Sequence, residues 1–387
     1  MPRIYLDANA TTPLLPEVIE AMRPFWSESF GNPSSAHQSG QRTRSAVEHA
    51  RASVARLLNA TPKELVFTSG GTESDNLALS GVLQPYLDSQ EPAHLITTSI
   101  EHHAVLYAAE SLERRGIEVT YLAPTRDGVI DPASLEAALK PHTKLVSVML
   151  ANNETGAIQP VGKLARIAKA HGALVHTDAV QGAAKLTLDL SGEFKNVDML
   201  SLSGHKMYAP QGTGVLFVRK GVQLAPLFHG GPHERQRRAG TENVPGIVGL
   251  GRAAELAHEW LNSQVDPNNL KALRDRLEQS LLATIPDAAL NAAAAPRVPN
   301  TTNLRIAGID AEALLIALDI QGVAASFGAA CQSGATEPSH VLLAMDLSPA
   351  EARSSLRLSL SRLTTAEEVD RALEIIPAAV ARLRSLS

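Results

Sequence analysis

The sequence predicts an α/β fold in which a large domain, built on a mainly parallel and doubly wound sheet, is joined to a smaller α/β domain. Three observations predict this fold class. Short apolar runs alternate with segments of helical periodicity between about residues 65 and 218. Each run ends in glycine or polar residues, as in strand–loop–helix units that form a parallel sheet covered by helices on both faces. After about residue 262 the spacing of strands and helices changes, which indicates a second domain.

The same patterns predict the order of elements along the chain. Residues 1–15 form a short arm associated with the small domain, residues 16–262 form the large domain, and residues 263–387 form the small one. The predicted strands are 65–68, 94–98, 118–122, 144–150, 173–177, 197–202, 214–218, 302–306 and 354–360. The predicted helices are 17–26, 41–59, one ending near 82, one ending near 115, 132–139, 161–171, 245–262, 268–283, 311–318 and 366–383. Residues 288–299 are rich in Ala and Pro and predict a connection.

Composition excludes several classes of function. The net charge is −5, with 44% hydrophobic and 19% charged residues, which is typical of a globular protein. There is no basic stripe with interleaved aromatic residues, so a nucleic acid is not an expected partner. No apolar run approaches the roughly 18 residues that a membrane span needs. The first residues lack the apolar core of a secretory signal, so we expect a cytoplasmic protein.

Chemically apt polar residues follow several of the predicted strands. In parallel sheets of this kind, ligands bind beyond the carboxyl ends of the strands. Any one polar residue in such a loop is unremarkable as a surface residue, but a series of them at successive strand ends favours one shared site. The residues concerned are Thr72, His102, Asn153, Asp178, Gln181 and Lys206.

A glycine-rich turn, residues 69–72 (SGGT), connects a predicted strand to a helix. Backbone N–H groups of such a turn and the helix N-terminus attract an anion. The turn lacks the Gly-Lys-Ser/Thr ending of a nucleotide-binding P-loop, and it is not the G-x-G-x-x-G pattern of a dinucleotide site. The pattern therefore favours a single phosphate group.

Pyridoxal phosphate is the cofactor that this set of residues suits. It requires a lysine, an acid at the pyridine nitrogen, a phosphate cradle and a group flanking the ring. Lys206, Asp178 and His102 can serve as lysine, acid and flanking group. The cradle would consist of Gly71, Thr72, Ser203 and His205. Taken singly, Lys206 reads as a surface lysine, and Asp178 and His102 read as helix caps. A metal bound by His102, His103, His176 and Asp178 is a rival use, but their spacings match no compact metal motif.

Cys331 is the single cysteine, so no intramolecular disulfide forms. A lone cysteine is most often a small buried apolar residue, and the alternative is a reactive thiol. Cys331 lies between Gly328 and Gly334, a composition typical of a loop that can bring a thiol to a partner. The neighbourhood therefore favours the reactive thiol.

The residues quoted so far, with several others, resemble the NifS/IscS-type cysteine desulfurases, which are class V aminotransferase-family enzymes of the fold-type I pyridoxal-phosphate group. The resemblance runs almost from end to end of the chain. The matching stretches are 5–7 (YLD) with 9–12 (NATT), 30–35 (FGNPSS), 67–76 (FTSGGTESDN), 152–154 (NNE), 203–206 (SGHK), 229–231 (HGG), 233–235 (HER), 328–334 (GAACQSG) and 337–342 (EPSHVL). Several stretches are shared with other enzymes of this fold, but in combination with Cys331 they are specific.

The resemblance implies a role for each site residue. Lys206 would bind the cofactor as a Schiff base, Asp178 would pair with the pyridine nitrogen and Gln181 with the phenolic oxygen. His102 would stack on the ring and assist proton transfer. The phosphate would be held by Gly71, Thr72, Ser203 and His205, with Thr241 supplied by the other subunit of a homodimer. The substrate carboxylate would be bound by Asn153 and Arg357, because the guanidinium fork matches a carboxylate. Without the resemblance, Arg357 reads as an exposed strand residue.

The implied reaction removes sulfur from L-cysteine, gives L-alanine and leaves a persulfide on Cys331. The implied partner is a sulfur acceptor, either an iron–sulfur scaffold or a thiolation carrier, and transient ligation of a cluster by Cys331 stays open. A selenocysteine lyase and a cysteine or cystine C–S lyase on the same fold are the alternatives among enzymes; a partner-binding protein that retains the fold is the alternative without catalysis. The loop departs from the usual family sequence, because Phe327 adds apolar bulk and two hydroxyl groups are missing around Cys331.

Overall fold

The computed structural model describes residues 3–263, 265–327 and 337–386, and its centre is a seven-stranded sheet. The strands are β1 Ile4–Tyr5, β2 Leu65–Thr68, β3 His94–Thr98, β4 Glu118–Leu122, β5 Thr143–Ser147, β6 Leu174–Asp178, β7 Met199–Ser203, β8 Gly214–Val218, β9 Ala288–Leu290, β10 Thr301–Ile306, β11 Val323–Ala324 and β12 Ser355–Ser359. The large sheet has the order β2-β8-β7-β6-β5-β3-β4. Its pairs from β7 through β4 are parallel, and β8 runs antiparallel to both of its neighbours. The predicted mainly parallel sheet is confirmed.

Helices cover both faces of this sheet. The α-helices of the described residues are α1 Pro16–Met22, α2 Pro24–Ser27, α3 Gln38–Leu57, α4 Gly71–Ser89, α5 His103–Arg114, α6 Pro132–Ala138, α7 Val161–His171, α8 Val244–Asn262, α9 Asp266–Thr284, α10 Ala311–Ile320, α11 His340–Ala344, α12 Pro349–Arg353 and α13 Ala366–Arg384. Of these, α9, α10 and α13 pack with β10 and β12 instead. Helices α3 and α8 approach closely, since a Cβ atom on Gly251 would lie 2.5 Å from the Cα atom of Ala50. Through the described parts of the chain, no helix combines the length and apolarity needed to cross a membrane.

Helix α4 continues to Ser89, beyond the predicted end near Val82. Proline inside a helix removes one backbone N–H and so leaves the carbonyl four residues earlier without its helical donor. Here the proline is Pro85, and the carbonyl oxygen of Gly81 instead accepts from the N–H of Ala225 at 2.8 Å. This external donor allows the helix to continue past the proline.

A second, three-stranded antiparallel sheet has the order β12-β10-β9. Strand β9 lies inside the Ala- and Pro-rich segment that predicted a connection, so that segment contains a strand in addition to its irregular residues. Alanine has low strand propensity, so the local sequence favours no strand here. The pairing of β9 with β10, with Leu290 opposite Leu304, stabilises the strand instead. Strand β1 pairs in parallel with β11, with Ile4 opposite Val323.

The N-terminal arm packs on the C-terminal part of the chain. Ile4 and Leu6 are fully buried and belong to one apolar cluster with Leu277, Leu304 and Leu358. A larger cluster on one face of the seven-stranded sheet and a smaller one on the other form the remaining core. The division at residues 16 and 263 stays a prediction, and this packing of the arm supports it.

Candidate active site

A cavity of about 640 Å³ lies at the carboxyl ends of the parallel strands. All six strand-end residues named from the sequence line it: Thr72, His102, Asn153, Asp178, Gln181 and Lys206. So do the predicted cradle residues Gly71, Ser203 and His205 and the predicted carboxylate-binding residue Arg357. In the described chain Thr241 is exposed and does not line this cavity. Cys331 lies outside the described residues.

Lys206 ends a single 3₁₀ turn, Gly204–Lys206, that follows β7 directly. The turn is tight, because a Cβ atom on Gly204 would lie 2.4 Å from Oγ1 of Thr213. The lysine Nζ donates to the backbone carbonyls of Asn9 and Ala10, each at 2.6 Å. The N-terminal arm therefore passes directly over the predicted cofactor lysine.

Asp178 is the last residue of β6, is buried and lines the cavity. Burial raises the pKa of its carboxyl group to about 6, although a hydrogen bond from the N–H of Val180 and the charge of Lys206 act in the opposite direction. The Val180 N–H donates to Oδ1 at 2.8 Å. A carboxyl group in this setting gains from a cationic N–H partner, which a protonated pyridine nitrogen would provide.

His102 caps helix α5, where its Nδ1 accepts from the N–H of Ala104 at 3.1 Å. Burial lowers the pKa of His102 to about 4, with smaller contributions from the charges of Lys206, His103 and His340. The ring is therefore neutral near pH 7, and because Nδ1 accepts a hydrogen bond, its proton is on Nε2. The capping role expected from sequence is present, and His102 lines the cavity as well.

The predicted anion cradle is formed by the start of helix α4. Gly71 is the first helical residue, and a Cβ atom there would lie 2.9 Å from Cγ2 of Val180. A Cβ atom on Gly214 would lie 2.6 Å from the backbone of Gly70. These two glycines let the turn, β8 and the loop after β6 approach one another closely. The first-turn N–H groups of a 19-residue helix thus face the cavity beside the side chain of Ser203.

Arg357 projects from the centre of β12 and is only 2% exposed, so the expectation of an exposed strand residue is wrong. Its Nη1 donates to the carbonyl oxygen of Asn153 at 3.1 Å, and its Nη2 donates to Oδ1 of Asp7 at 2.7 Å. These contacts hold the guanidinium group at the cavity wall between the large sheet and the arm.

The described residues on either side of 328–336 are bonded to this site. Ser326 and Arg357 form an antiparallel bridge, with the Arg357 N–H donating to the Ser326 carbonyl at 2.6 Å. On the other side, Oγ of Ser339 donates to Oε2 of the buried Glu154 at 2.5 Å. The His340 ring bonds to the carbonyl oxygen of Glu101 at 3.0 Å.

Several residues at the site were not singled out from the sequence. Asn9 is buried and bonds to several parts of the chain: its carbonyl oxygen accepts from Lys206 and Gln181, and its side-chain Nδ2 donates to the carbonyl of Asn153 and to Thr301. Its place in the stretch 9–12 (NATT), within the predicted arm, was the available signal. Asp75 also lines the cavity, and burial raises its pKa well above the ordinary value, with the charge of Asp178 acting in the same direction.

These residues fit pyridoxal phosphate by their chemistry and by the close packing of the cradle. A lysine amine, a buried carboxyl group, a neutral imidazole and a helix N-terminus meet the four needs of the cofactor around one cavity. Together with a mainly parallel sheet that presents them at its carboxyl edge, they define a pyridoxal-phosphate enzyme of fold type I.

Comparison with known proteins gives the family. The Aminotransferase class-V family model matches residues 4–372, and the chain belongs to this family, whose enzymes depend on pyridoxal phosphate. The chain is 49% identical over 384 residues to a cysteine desulfurase of Trichormus azollae, covering 99% of this chain and 94% of that protein. It is 47% identical over 386 residues to the cysteine desulfurase IscS of Methanosarcina thermophila, covering 99% and 93%.

Solved structures give the same result for the fold. A NifS-like protein superimposes with a TM-score of 0.90 at 38% identity, covering 98% of this chain and 100% of the other. The structure of SspA in complex with cysteine superimposes with a TM-score of 0.81 at 37% identity, covering 93% and 99%. The predicted fold-type I architecture and the resemblance to NifS/IscS-type enzymes are therefore confirmed.

Proposed function

We propose that this chain is a cysteine desulfurase that removes sulfur from L-cysteine, releases L-alanine and carries the sulfur as a persulfide on Cys331. The observation that carries the proposal is the anchoring of the chain around Cys331. Ser326 on one side pairs with Arg357 of the cavity wall, and Ser339 on the other bonds Glu154, next to Asn153. The described residues on both sides of the segment that contains Cys331 are thus bonded to residues at or next to the cavity wall.

The cofactor roles are those that the resemblance of the sequence implies, and they are supported by the fact that all of these residues except Thr241 line one cavity. Lys206 would hold pyridoxal phosphate covalently, Asp178 would pair with the pyridine nitrogen, Gln181 with the phenolic oxygen, and His102 would flank the ring. The phosphate would be held by Gly71, Thr72, Ser203 and His205, with Thr241 from the second subunit of a homodimer. When bound, the cofactor supplies an electron sink for the pair released at the substrate Cα.

The substrate carboxylate would be bound by Arg357 and Asn153. Arg357 is buried and held in place by Asp7, so its guanidinium group is pre-oriented and little entropy is lost on binding. Lys206 then takes the Cα proton at Nζ, and His102, neutral with its proton on Nε2, can exchange a proton with the substrate.

The sulfur step belongs to Cys331, the single thiol of the chain. Its thiolate attacks the substrate sulfur, an S–S bond forms as the substrate Cβ–S bond breaks, and the electron pair passes to Cβ, which is protonated to the methyl group of alanine. L-cysteine and the Cys331 thiol give L-alanine and the Cys331 persulfide, so atoms and electrons balance without an external oxidant.

Sulfur would pass from Cys331 to an acceptor of iron–sulfur assembly or of another thiolation pathway, in the cytoplasm. The relatives named desulfurases support the reaction itself. The acceptor class, the homodimer and the location are parts of the proposal that rest on the resemblance of the sequence.

The test is intact-protein mass spectrometry after brief incubation with L-cysteine, followed by peptide mapping. We expect a gain of one sulfur located on Cys331, and alanine in the same amount. Cys331→Ala should keep the yellow cofactor but lose both the mass gain and most sulfide release. Unchanged turnover in Cys331→Ala would instead identify a C–S lyase or selenocysteine lyase, which does not need this thiol.

A further inference from the structure

Lys185 lies behind Gln181 and is not needed for any step given above. Its Nζ donates to Oε1 of Gln181 at 2.7 Å and makes a longer contact of 3.4 Å with Oδ1 of Asn9. The other end of the same amide, Nε2 of Gln181, donates to the carbonyl oxygen of Asn9 at 3.0 Å. The Gln181 amide is thus held at both ends, by the Lys185 side chain and by the backbone of Asn9, while Gln181 lines the cavity.

These two contacts determine which way the Gln181 amide points. The backbone carbonyl of Asn9 can only accept, and Lys185 in its ammonium form can only donate. If the amide were flipped, N–H would face the ammonium group and oxygen would face the Asn9 carbonyl, so both contacts would become repulsive. The observed orientation leaves the second hydrogen on Nε2 for an acceptor in the cavity.

The backbone between the two residues is shaped to bring them together. Lys185 follows Gln181 by four residues through a turn in which the N–H of Lys185 donates to the Gly182 carbonyl at 3.1 Å. Ala184, just before the lysine, has a φ of 55°, in the left-handed region that residues with a Cβ atom rarely adopt. An unfavourable backbone conformation that persists beside a site is a reason to look for a role of the residue it positions.

Holding a lysine here has an electrostatic cost. Burial lowers the pKa of Lys185, the nearby charges of Lys206 and Arg357 act in the same direction, and together they bring it to about 7. A methionine or leucine would pack in the same place without that cost. The hydrogen bond to Gln181 is the contact that an apolar residue could not replace.

We propose that Lys185 is a positioning residue that fixes the amide of Gln181, so that its N–H faces the phenolic oxygen of the bound cofactor. This inference rests on the proposed function, in which Gln181 contacts that oxygen. A donor at the phenolic oxygen competes with the proton that the bound cofactor shares between this oxygen and the nitrogen of Lys206. Without this donor the bound cofactor therefore keeps the proton up to a higher pH.

The experiment is a pH titration of the visible absorption of the resting holoenzyme, which reports this proton without turnover. We expect Lys185→Met to raise the titration midpoint by about one pH unit, and the exposed-site control Lys195→Met to leave it unchanged. Lys185→Arg, which still donates, should stay near the wild-type midpoint. The same midpoint in Lys185→Met and wild type would overturn the inference.

A double-mutant cycle separates positioning from the charge of Lys185 alone. In a Gln181→Ala background, Lys185→Met should add less than about 0.3 pH unit, because the group it positions is gone. An equal shift in both backgrounds would mean that the charge acts directly and would overturn the inference. If Lys185→Met does not fold, Lys185→Gln replaces it in the same double-mutant cycle. Wild-type protein that forms no coloured complex with pyridoxal phosphate would overturn the proposed function itself, whereas a normal wild-type titration with an unshifted variant overturns only the role of Lys185.

Discussion

Nη2 of Arg357 lies 2.7 Å from Oδ1 of Asp7, which ties a strand of the C-terminal sheet to the N-terminal arm. The arginine is buried, and a buried charge is tolerated when it is paired and hydrogen-bonded. The second guanidinium nitrogen donates to the carbonyl of Asn153, in the turn that follows β5 of the large sheet. The proposed carboxylate-binding group is thus fixed by three separate parts of the chain.

This arrangement predicts that Arg357→Lys impairs substrate binding more than the chemical step. A lysine keeps the charge but loses the fork, and a hydrogen bond to a charged group contributes about 1.5–3 kcal/mol, so kcat/KM should fall roughly 10- to 100-fold, mostly through KM. Asp7→Asn should have a smaller effect in the same direction. Steady-state kinetics with L-cysteine provides the measurement, with the exposed Arg353→Lys as control. An unchanged KM in Arg357→Lys would limit Arg357 to a role in packing.

Lys206 is predicted to be the single site of covalent cofactor attachment. Borohydride reduction of the holoenzyme, followed by digestion and mass spectrometry, should place the phosphopyridoxyl label on the peptide that contains Lys206. Lys206→Ala should lose the label and the yellow colour, while Lys195→Met, on an exposed loop, should retain both. A label on a different lysine in wild-type protein would contradict the assignment.

The raised pKa of Glu101 predicts that wild type and Glu101→Gln differ in stability by an amount that depends on pH. Burial raises its pKa to about 8, against hydrogen bonds from Met149 and Thr98 that lower it. Because the folded-state pKa lies above that of the unfolded chain, the folded state favours the protonated acid, and stability is lost as pH rises through 8. Glu101→Gln keeps the accepting oxygen and stays neutral. The melting temperature of this variant, relative to that of wild type, should therefore rise from pH 5 to pH 9.

Thermal melts at pH 5, 7 and 9 measure this difference. The exposed Glu110→Gln serves as the matched control and should show no change with pH relative to wild type. A difference between Glu101→Gln and wild type that is the same at all three pH values would show that Glu101 is ionised throughout.

The proposed role of Thr241 predicts a cofactor site that is shared between subunits. It is exposed in the single chain and lies outside the cavity. Thr241→Ala should weaken pyridoxal phosphate binding by roughly 10-fold, since a hydrogen bond to a charged group contributes about 1.5 kcal/mol or more. Equilibrium dialysis measures the loss, and Thr284→Ala, another exposed hydroxyl, is the control.

Mixed dimers decide whether Thr241 acts across the interface. A dimer of one Lys206→Ala chain and one Thr241→Ala chain has one site with both residues intact if Thr241 is supplied by the partner. That dimer should bind one cofactor with wild-type affinity. If Thr241 acts within its own chain, the mixed dimer has no intact site and binds only weakly.

Much of the site was predictable because a parallel sheet brings successive strand ends to one edge. Thr72, Asp178 and Lys206 are far apart in the sequence, and the sheet order alone places them around one cavity. The burial of Arg357 was not predictable, because its partners Asp7 and Asn153 come from distant segments that the local strand pattern does not reveal.

The roles of Asn9 and Lys185 were hidden for a related reason. Each acts through hydrogen bonds to other polar residues, and such networks leave no periodicity or spacing in the sequence. Strand β9 was missed because its alanines favour no strand locally, and only pairing with β10 makes one. The proposed role of Cys331 as the thiol that accepts sulfur came from the resemblance of the whole sequence. Its neighbours Gly328 and Gly334 indicate only a reactive thiol.

The bridge between Ser326 and Arg357 separates two properties that would otherwise depend on each other. The segment between Ser326 and Ser339 can be lengthened or shortened without displacing the guanidinium group, because the bridge fixes Ser326 beside Arg357. The length of this segment and the affinity for the substrate can therefore change independently. Grafts that begin after Ser326 and end before Ser339 should leave the KM for L-cysteine as it is in the wild type.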